Sequence, residues 1–409
     1  MAFGWVAAGA QQLAFPGAEG FGRFAEGGRS GTVCHVTNLA DSGKGSFREA
    51  VSAPHRTVVF DISGVIHVSR RVSVSDHITI AGETAPGMGI VVYGDGVSFS
   101  GSNNDIVRYI RFRGSIAMSR GSCTLICDNA HDMIFDHVSV EWGRWDDLHI
   151  KNSSNISLSY CIIGEGIDPQ RFGALLEGPV NLSIHHCLWI NNQSRNPKGK
   201  AKMEFVNNVL YNWGSNGFVG GHSAADHYQD IVGNYFIAGP SSTDHFLSLF
   251  TKTDHVFEKG NYVDLNKDGK LNGRTVTAAD FEKTGATLVR SRQAGSFPDD
   301  SVQKAAAAYQ TVLAQAGASL KRDPVDSRLI NALVSLGTRG AIIHKEAEAG
   351  GQPAISTEKT PRDRDQDGMS DKWEKTHGLN PRNPADGNIK GPDGYTRLET
   401  YLHALARQR

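Results

Sequence analysis

Neither sign of charge prevails in this sequence: 42 Lys and Arg stand against 43 Asp and Glu, a formal net charge of −1. A nucleic-acid binder normally carries a basic excess, so that class is disfavoured. Cysteine is scarce. Cys34, Cys123, Cys127, Cys161 and Cys187 form an odd set without a CxxC pair, which argues against a disulfide framework or a zinc site and for buried thiols. No apolar run reaches the roughly 18 residues of a membrane span. The stretch MAFGWVAAGAQQ is apolar and rich in small residues but lacks a basic start, so residues 1–12 read as the remnant of an export signal on a secreted (extracellular or periplasmic) protein. Glycine, in contrast, is plentiful, with 46 in 409 residues. That richness without low complexity signals many tight turns.

What the turns connect is a repeat. Between residues 55 and 265 short β-prone runs recur, among them IVRYIRFRG, MIFDHVSVEW, ISLSYCII, LSIHHCLWI, MEFVNNVLY and DIVGNYFIAG. The matching positions Ile110, Val138, Cys161, Cys187, Asn208, Asn234 and Asn261 are separated by steps of 28, 23, 26, 21, 26 and 27. A strand-bearing period of this length predicts a solenoid, and no unit is long enough for a crossover helix. The expected fold is all-β, a right-handed parallel β-helix. Asn208, Asn234 and Asn261 fall in one column and predict an Asn ladder. After residue 275 the chain turns Ala- and Leu-rich with helical spacing, predicting helices packed on the side or end of the solenoid and covering an exposed edge. The expected organisation is a β-helix over 13–345, a linker over 346–362 and a small separate module over 363–409.

Two sets of residues carry chemistry. In the C-terminal module Asp363, Asp365, Asp367, Met369, Asp371 and Glu374 occupy positions 1, 3, 5, 7, 9 and 12 of an EF-hand-like or dockerin-like calcium loop, with Gly368 at the sharp turn. Its expected role is structural. A weaker match at Asp264, Asn266, Asp268, Gly269 and Asn272 reads equally well as a polar hairpin turn. On the solenoid, DHVSVEWGRWDD holds Asp136, Glu141, Asp146 and Asp147, and SRNPKGKAK holds Arg195, Lys198, Lys200 and Lys202. Coils one or two apart lie side by side, so the two strips suit a carboxylated ligand with bridging calcium, or an ordinary salt-bridged surface. His185 and His186 read as coil residues that are stacked and hydrogen-bonded, and His137, after Asp136, as a residue that orients its turn. Trp142, Trp145, Trp189 and Trp213 read mainly as packing, with one or two free to line a sugar groove.

AFPGAEGFGR (14–23), DSGKGSFREAV (41–51), IAGETAPGMGI (80–90), FDHVSVEW (135–142), SRNPKGK with VNNVLYNWG (194–214) and GNYFIAGP (233–240) together resemble the pectate lyase superfamily, over most of residues 14–345 and in consistent order. That resemblance implies a secreted, monomeric polysaccharide lyase acting on polygalacturonate, an acidic plant cell-wall polymer, by calcium-assisted β-elimination. It places the base on Arg195, a companion cation on Lys200 and a carboxylate-gripping cation at Arg171. Lys198, Lys202 and Arg144 are further candidates for holding substrate, Arg144 also as a cation substituting for calcium. The catalytic calcium would rest on Asp136, Asp146 and Asp147. Cys123 departs from the family, standing where an Asp is expected, and a thiol is a poor calcium ligand. Arg is a poor base on ordinary grounds, so the assignment needs neighbouring cations to ease loss of its proton. Two alternatives stay open: a β-helix hydrolase using Asp136, Asp146 and Asp147, and a non-catalytic polyuronate-binding β-helix.

Overall fold

A computed structural model describes residues 11–407; most of the stretch read as an export-signal remnant lies outside the described residues. The expected parallel β-helix is the fold. Its strands form an 11-stranded, a 10-stranded and an 8-stranded sheet, and successive coils add one strand to each. One coil runs His131–Asp136, Ser139–Glu141, Asp146–Lys151; the next runs Ser154–Ser159, Ile162–Gly164, Phe172–Glu177. Alternation makes the core: Leu125, Leu148 and Ala174 stand in register, as do Cys127, Ile150 and Leu176, and all six are buried.

The corner between the first two sheets is a two-residue turn repeated down the solenoid. Its first residue is left-handed, with φ of 55° at His137, 52° at Tyr160 and 54° at His186. These rings stack in a column with Tyr109, at centroid spacings of 4.6, 4.8 and 5.0 Å, close to the strand spacing of about 4.8 Å. The second residue builds the ladder. Asn234 Oδ1 accepts from Asn208 N at 2.8 Å, and Asn261 Oδ1 accepts from Asn234 N at 3.0 Å. Asn208 Oδ1 then accepts from Cys187 N at 2.9 Å, and Cys187 Sγ accepts from Cys161 N at 3.4 Å. Cysteine thus continues the asparagine column, and none of the five forms a disulfide.

Two of the sheets are covered. On the 10-stranded sheet, outward Ile162, Leu188, Ile190, Val209 and Ile237 meet Tyr309, Val312, Leu329 and Leu333 of the helices Ala305–Gln315 and Pro324–Val334. Of the two expected placements the helices take the side of the solenoid, where the outward positions of this sheet are apolar. On the 11-stranded sheet, Phe15, Ala18 and Ala25 pack against Ile106 and Ile134. Gly22 N donates to Ser157 Oγ at 2.8 Å. The C-terminal segment packs on the first strands of the same sheet, so it is docked rather than separate.

The stretch expected as a linker is also fastened. Glu346 accepts from Tyr93 Oη at 3.1 Å and Ile116 N at 3.2 Å, and Lys359 bridges to Ile62. The loop after Asp264 is a polar hairpin between Tyr262–Asp264 and Arg274–Thr275, closed by its own bonds such as Asn272 N to Asp264 Oδ2 at 3.1 Å. The 8-stranded sheet is the one left without such a cover among the described residues. Its outward side chains Asp128, His149, Lys151, Leu175, Glu177, Lys198 and Lys200 are all part-exposed.

Candidate active site

Three turns lead the chain from the 10-stranded sheet onto the open one, at residues 142–145, 165–171 and 191–197. They deliver the charged groups. Asp146 pairs with Phe172 on the next coil, and Phe172 bridges to Ser194 on the one after, so Asp146, Phe172 and Arg195 occupy neighbouring levels. Arg195 takes a left-handed φ of 59°, and its Nη1 lies 3.1 Å from both oxygens of Asp146. Its guanidinium carbon stands 4.3 Å from the Phe172 ring centroid. The Arg195 side chain keeps 18% exposure while Asp146 keeps 1%, so the cation reaches the groove and the carboxylate lies behind it. Burial pushes Asp146 up to about 7, with Arg195 and Lys198 partly offsetting that rise.

More cations follow along the same sheet. Lys198 and Lys200 share the outward side of the strand Lys198–Lys200, on either side of buried Gly199. Burial and the nearby charges of Arg195 and Lys200 lower the Lys198 pKa. Lys200 Nζ lies 3.8 Å from Glu177, and Arg171 Nε lies 3.4 Å from Asp168. Trp145, next to Asp146, is 41% exposed, whereas Trp142, Trp189 and Trp213 are buried. Arg195, Lys198, Lys200 and Asp146 are therefore brought together on the open sheet, with Trp145 adjoining Asp146. Arg171 lies on the turn before the sheet, its side chain against Asp168 and His344, and Asp147 is buried behind the sheet, accepting from Gly143 N at 2.7 Å.

Other expected members lie elsewhere. Asp136 ends a strand of the 11-stranded sheet and bonds Arg108 at 3.0 Å and Ser159 at 2.9 Å. Burial alone would raise its pKa, but His137 and Arg108 outweigh that and hold it well below the usual carboxylate range. Glu141 is buried on the 10-stranded sheet against Arg113 at 3.0 Å. Lys202 opens the strand Lys202–Val206 of the 11-stranded sheet, past the corner at Ala201. Arg144 donates to the carbonyls of Asp168 at 2.9 Å and Met118 at 2.6 Å, fastening two loops rather than offering its fork to a ligand. His185 and His186 are buried in the coil and His186 stacks on Tyr160, but among the described residues the ring nitrogens of both lack the hydrogen bonds expected of them; burial holds both pKa values low. Phe172 gave no signal in the sequence beyond being an aromatic at a strand start.

The donors near Arg195 do not make a resident calcium cage. Asp147 is buried and its Oδ2 lacks a hydrogen-bond partner, which gives one free oxygen. Asp146 is spent on Arg195, Asp128 is tied to His149 at 3.0 Å, and Asp136 is on another sheet. Cys123 is buried with its thiol pushed up to about 12, so it is protonated. Calcium binds six to eight oxygens, and this set falls far short.

The C-terminal loop differs. Oxygens of Asp363, Asp365 and Asp367 lie within 4.8 Å of one another, and so do those of Asp367, Glu374 and Asp386. Asp371 is not among them. Its Oδ1 accepts from Arg364 N at 2.9 Å and its Oδ2 faces the Arg364 guanidinium at 3.5 Å, outside both groups. Asp386 fills the place instead, from the short 3₁₀ turn Asp386–Asn388. It lies outside the 12-residue pattern, so loop spacing could not reveal it. Burial, reinforced by Asp367 and Asp365, pushes Glu374 up to about 8.

No family model matches the chain. Among curated proteins it is similar to the probable pectate lyase C of Neosartorya fischeri, 43% identical over 399 residues covering 96% of this chain and 94% of that protein. The probable pectate lyase C of Emericella nidulans is 41% identical over 400 residues, covering 96% and 93%. Among solved structures a thermostable pectate lyase matches with a TM-score of 0.54 at 12% identity, covering 76% of this chain and 98% of that one. A pectate lyase from Paenibacillus sp. 0602 matches with a TM-score of 0.51 at 12% identity, covering 77% and 98%. The cedar pollen allergen jun a 1 matches with a TM-score of 0.50 at 15% identity, covering 73% and 92%. The solved structures share the fold.

Proposed function

The chain belongs to the pectate lyase family, and from that premise we propose that it cleaves polygalacturonate by β-elimination with Arg195 as the base. The reaction removes the C5 proton beside a uronate carboxylate and breaks the C4–O bond, leaving an unsaturated sugar. Its difficulty is the negative charge that develops at C5 and spreads into the carboxylate. Cations fixed against that carboxylate stabilise the charge as it grows. Lys198 and Lys200 lie beside Arg195 on the open sheet and suit that task, with Arg171 on an adjoining turn. They also give the groove the charge that an acidic polymer requires, in a chain whose total is −1.

Arg195 must give up a proton before it can take one. A substrate carboxylate drawn to the lysines leaves Arg195 held by Phe172 and Asp146, aimed by contacts that need no reorganisation at the moment of reaction. The polymer lies outside cells, so we carry the export reading with the activity; no helix among the described residues is long and apolar enough to cross a membrane.

The observation that carries this reading is Arg195 wedged between Asp146 and Phe172 on the one open sheet, with cations beside it. The experiment is product analysis on polygalacturonate, methylated pectin and alginate. Ultraviolet absorbance rising from unsaturated ends on polygalacturonate supports the reading. Saturated reducing ends without absorbance would instead select a hydrolase, and binding without either product would select a binding protein.

A further inference from the structure

Five carboxylates of the C-terminal segment converge in two triads that share Asp367, with His35 Nε2 standing 4.0 Å from Asp363 at one side. Neither oxygen of Glu374 or Asp365 has a hydrogen-bond partner among the described residues, and the same holds for Asp367 Oδ2 and Asp386 Oδ1. Glu374, Asp367 and Asp386 are 0, 3 and 5% exposed, so water does not compensate these oxygens. Calcium–oxygen bonds of about 2.3–2.6 Å put opposite ligands about 5 Å apart, and the oxygens of each of the two triads, which share Asp367, lie within 4.8 Å of one another.

The residues between these carboxylates face the solenoid. Met369 is fully buried and packs with Leu398 and Leu402 against Val59 and Ala81 of the first coils. Gly368 has a φ of +89°, and a Cβ there would come within 3.2 Å of Val33 and 3.4 Å of Val59. His35, on the strand Thr32–Val36, reaches the carbonyl of Gln366 at 3.1 Å while bonding Asp61 at 2.9 Å. The carboxylates come from three pieces of chain. These are the loop at 363–367, the helix Asp371–Thr376 and the turn Asp386–Asn388, whose far side leads to the helix Arg397–Ala406 carrying Leu398 and Leu402.

We propose that one calcium ion held by Asp363, Asp365, Asp367, Glu374 and Asp386 clamps the C-terminal segment onto the first coils of the solenoid. The ion joins the half of the segment that bears Met369 to the half that bears Leu398 and Leu402, and so presents one apolar face to Val59 and Ala81. Without it, five like charges push the two halves apart and the outer side of the first strands is uncovered. This site sits on the 11-stranded sheet while Arg195 sits on the 8-stranded one, so the ion serves attachment and not the elimination. The proposal is independent of the lyase reading, and its tests do not use activity.

The full chain is stripped of metal and titrated with calcium alone and with magnesium alone, reading bound metal by equilibrium dialysis, Tm, and the rate at which a protease cuts within 346–407. At calcium about a hundred times its dissociation constant the docked state gains about a hundredfold, and cutting slows by up to that factor. Calcium is expected to raise Tm and protect the segment, with magnesium doing so poorly. Glu374→Gln and Asp386→Asn should lose both effects, and Asp371→Asn should keep them. Wild-type protein that is cut equally fast with calcium and with chelator would overturn the proposal, even where a variant fails to fold. An Asp386→Asn variant with the wild-type calcium response, or an Asp371→Asn variant without it, would also overturn it.

Discussion

Replacing Phe172 by Leu tests how the base is held. The Arg195 guanidinium carbon lies 4.3 Å from the Phe172 ring centroid and its Nη1 bonds Asp146, so the ring and the carboxylate together fix one orientation. A cation over a ring face is worth about 0.5–2 kcal/mol, the upper end applying where water is excluded. Arg195 is 18% exposed, so the upper half of that range applies, about 1–2 kcal/mol. If that energy maintains the reactive orientation, losing it lowers the rate roughly 5- to 30-fold. Initial rates of unsaturated product from polygalacturonate should show the loss in kcat, with KM within about twofold. Phe172→Tyr keeps the ring face and should recover most of the rate. Leu is also apolar and Phe172 is half-buried, so Tm should change little. A Phe172→Leu enzyme with wild-type kcat would refute the reasoning, as would a Tyr variant as slow as the Leu one.

Three further outcomes follow from the same coordinates. Trp145→Ala removes the one exposed tryptophan beside Arg195 and should raise KM for long oligogalacturonates roughly 2- to 10-fold, with a smaller effect on short ones; equal KM at every length would remove Trp145 from the groove. Asn234→Ala leaves the Asn208 amide and the Phe205 carbonyl without their partner, and denaturant titration should show a loss of about 2–5 kcal/mol. Burial pushes Asp105 up to about 8, so the folded state holds a proton that the unfolded chain releases near pH 4. Its contribution to stability is present below that pH and is lost as pH rises towards 8. Asp105→Asn should therefore flatten the fall in stability between pH 4 and 8, and an unchanged slope in urea titrations would contradict that assignment.

The solenoid was legible because its repeat is written into positions that stack: the Asn column at 208, 234 and 261 can be satisfied only by coils in register. The motif RNPKGK singled out Arg195, which the structure places against Asp146 and Phe172 at the open sheet. What the linear sequence hid was which face each charge would take. Residues 136–147 look like one acidic patch, yet the chain rounds two corners there, sending Asp136, Glu141 and Asp146 to three different sheets. Residues 195–202 are divided the same way, with Lys202 past the next corner. A coil short enough to be seen as a repeat is also short enough to scatter neighbouring residues around the solenoid. Asp386 stayed hidden for the opposite reason: a contact across 12 residues of irregular chain leaves no periodic mark. The linker reading failed because Gly, Pro and Ser report turns and not whether buried groups such as Glu346 fasten them.

The most direct test of the central claim is Arg195→Ala with polygalacturonate, followed by ultraviolet absorbance of the unsaturated product and by circular dichroism. The account predicts a folded protein whose elimination rate falls by at least about 10³-fold, on the scale of losing a catalytic base, with partial recovery when guanidinium is added to the assay. A folded Arg195→Ala enzyme that still forms the unsaturated product at the wild-type rate would contradict it.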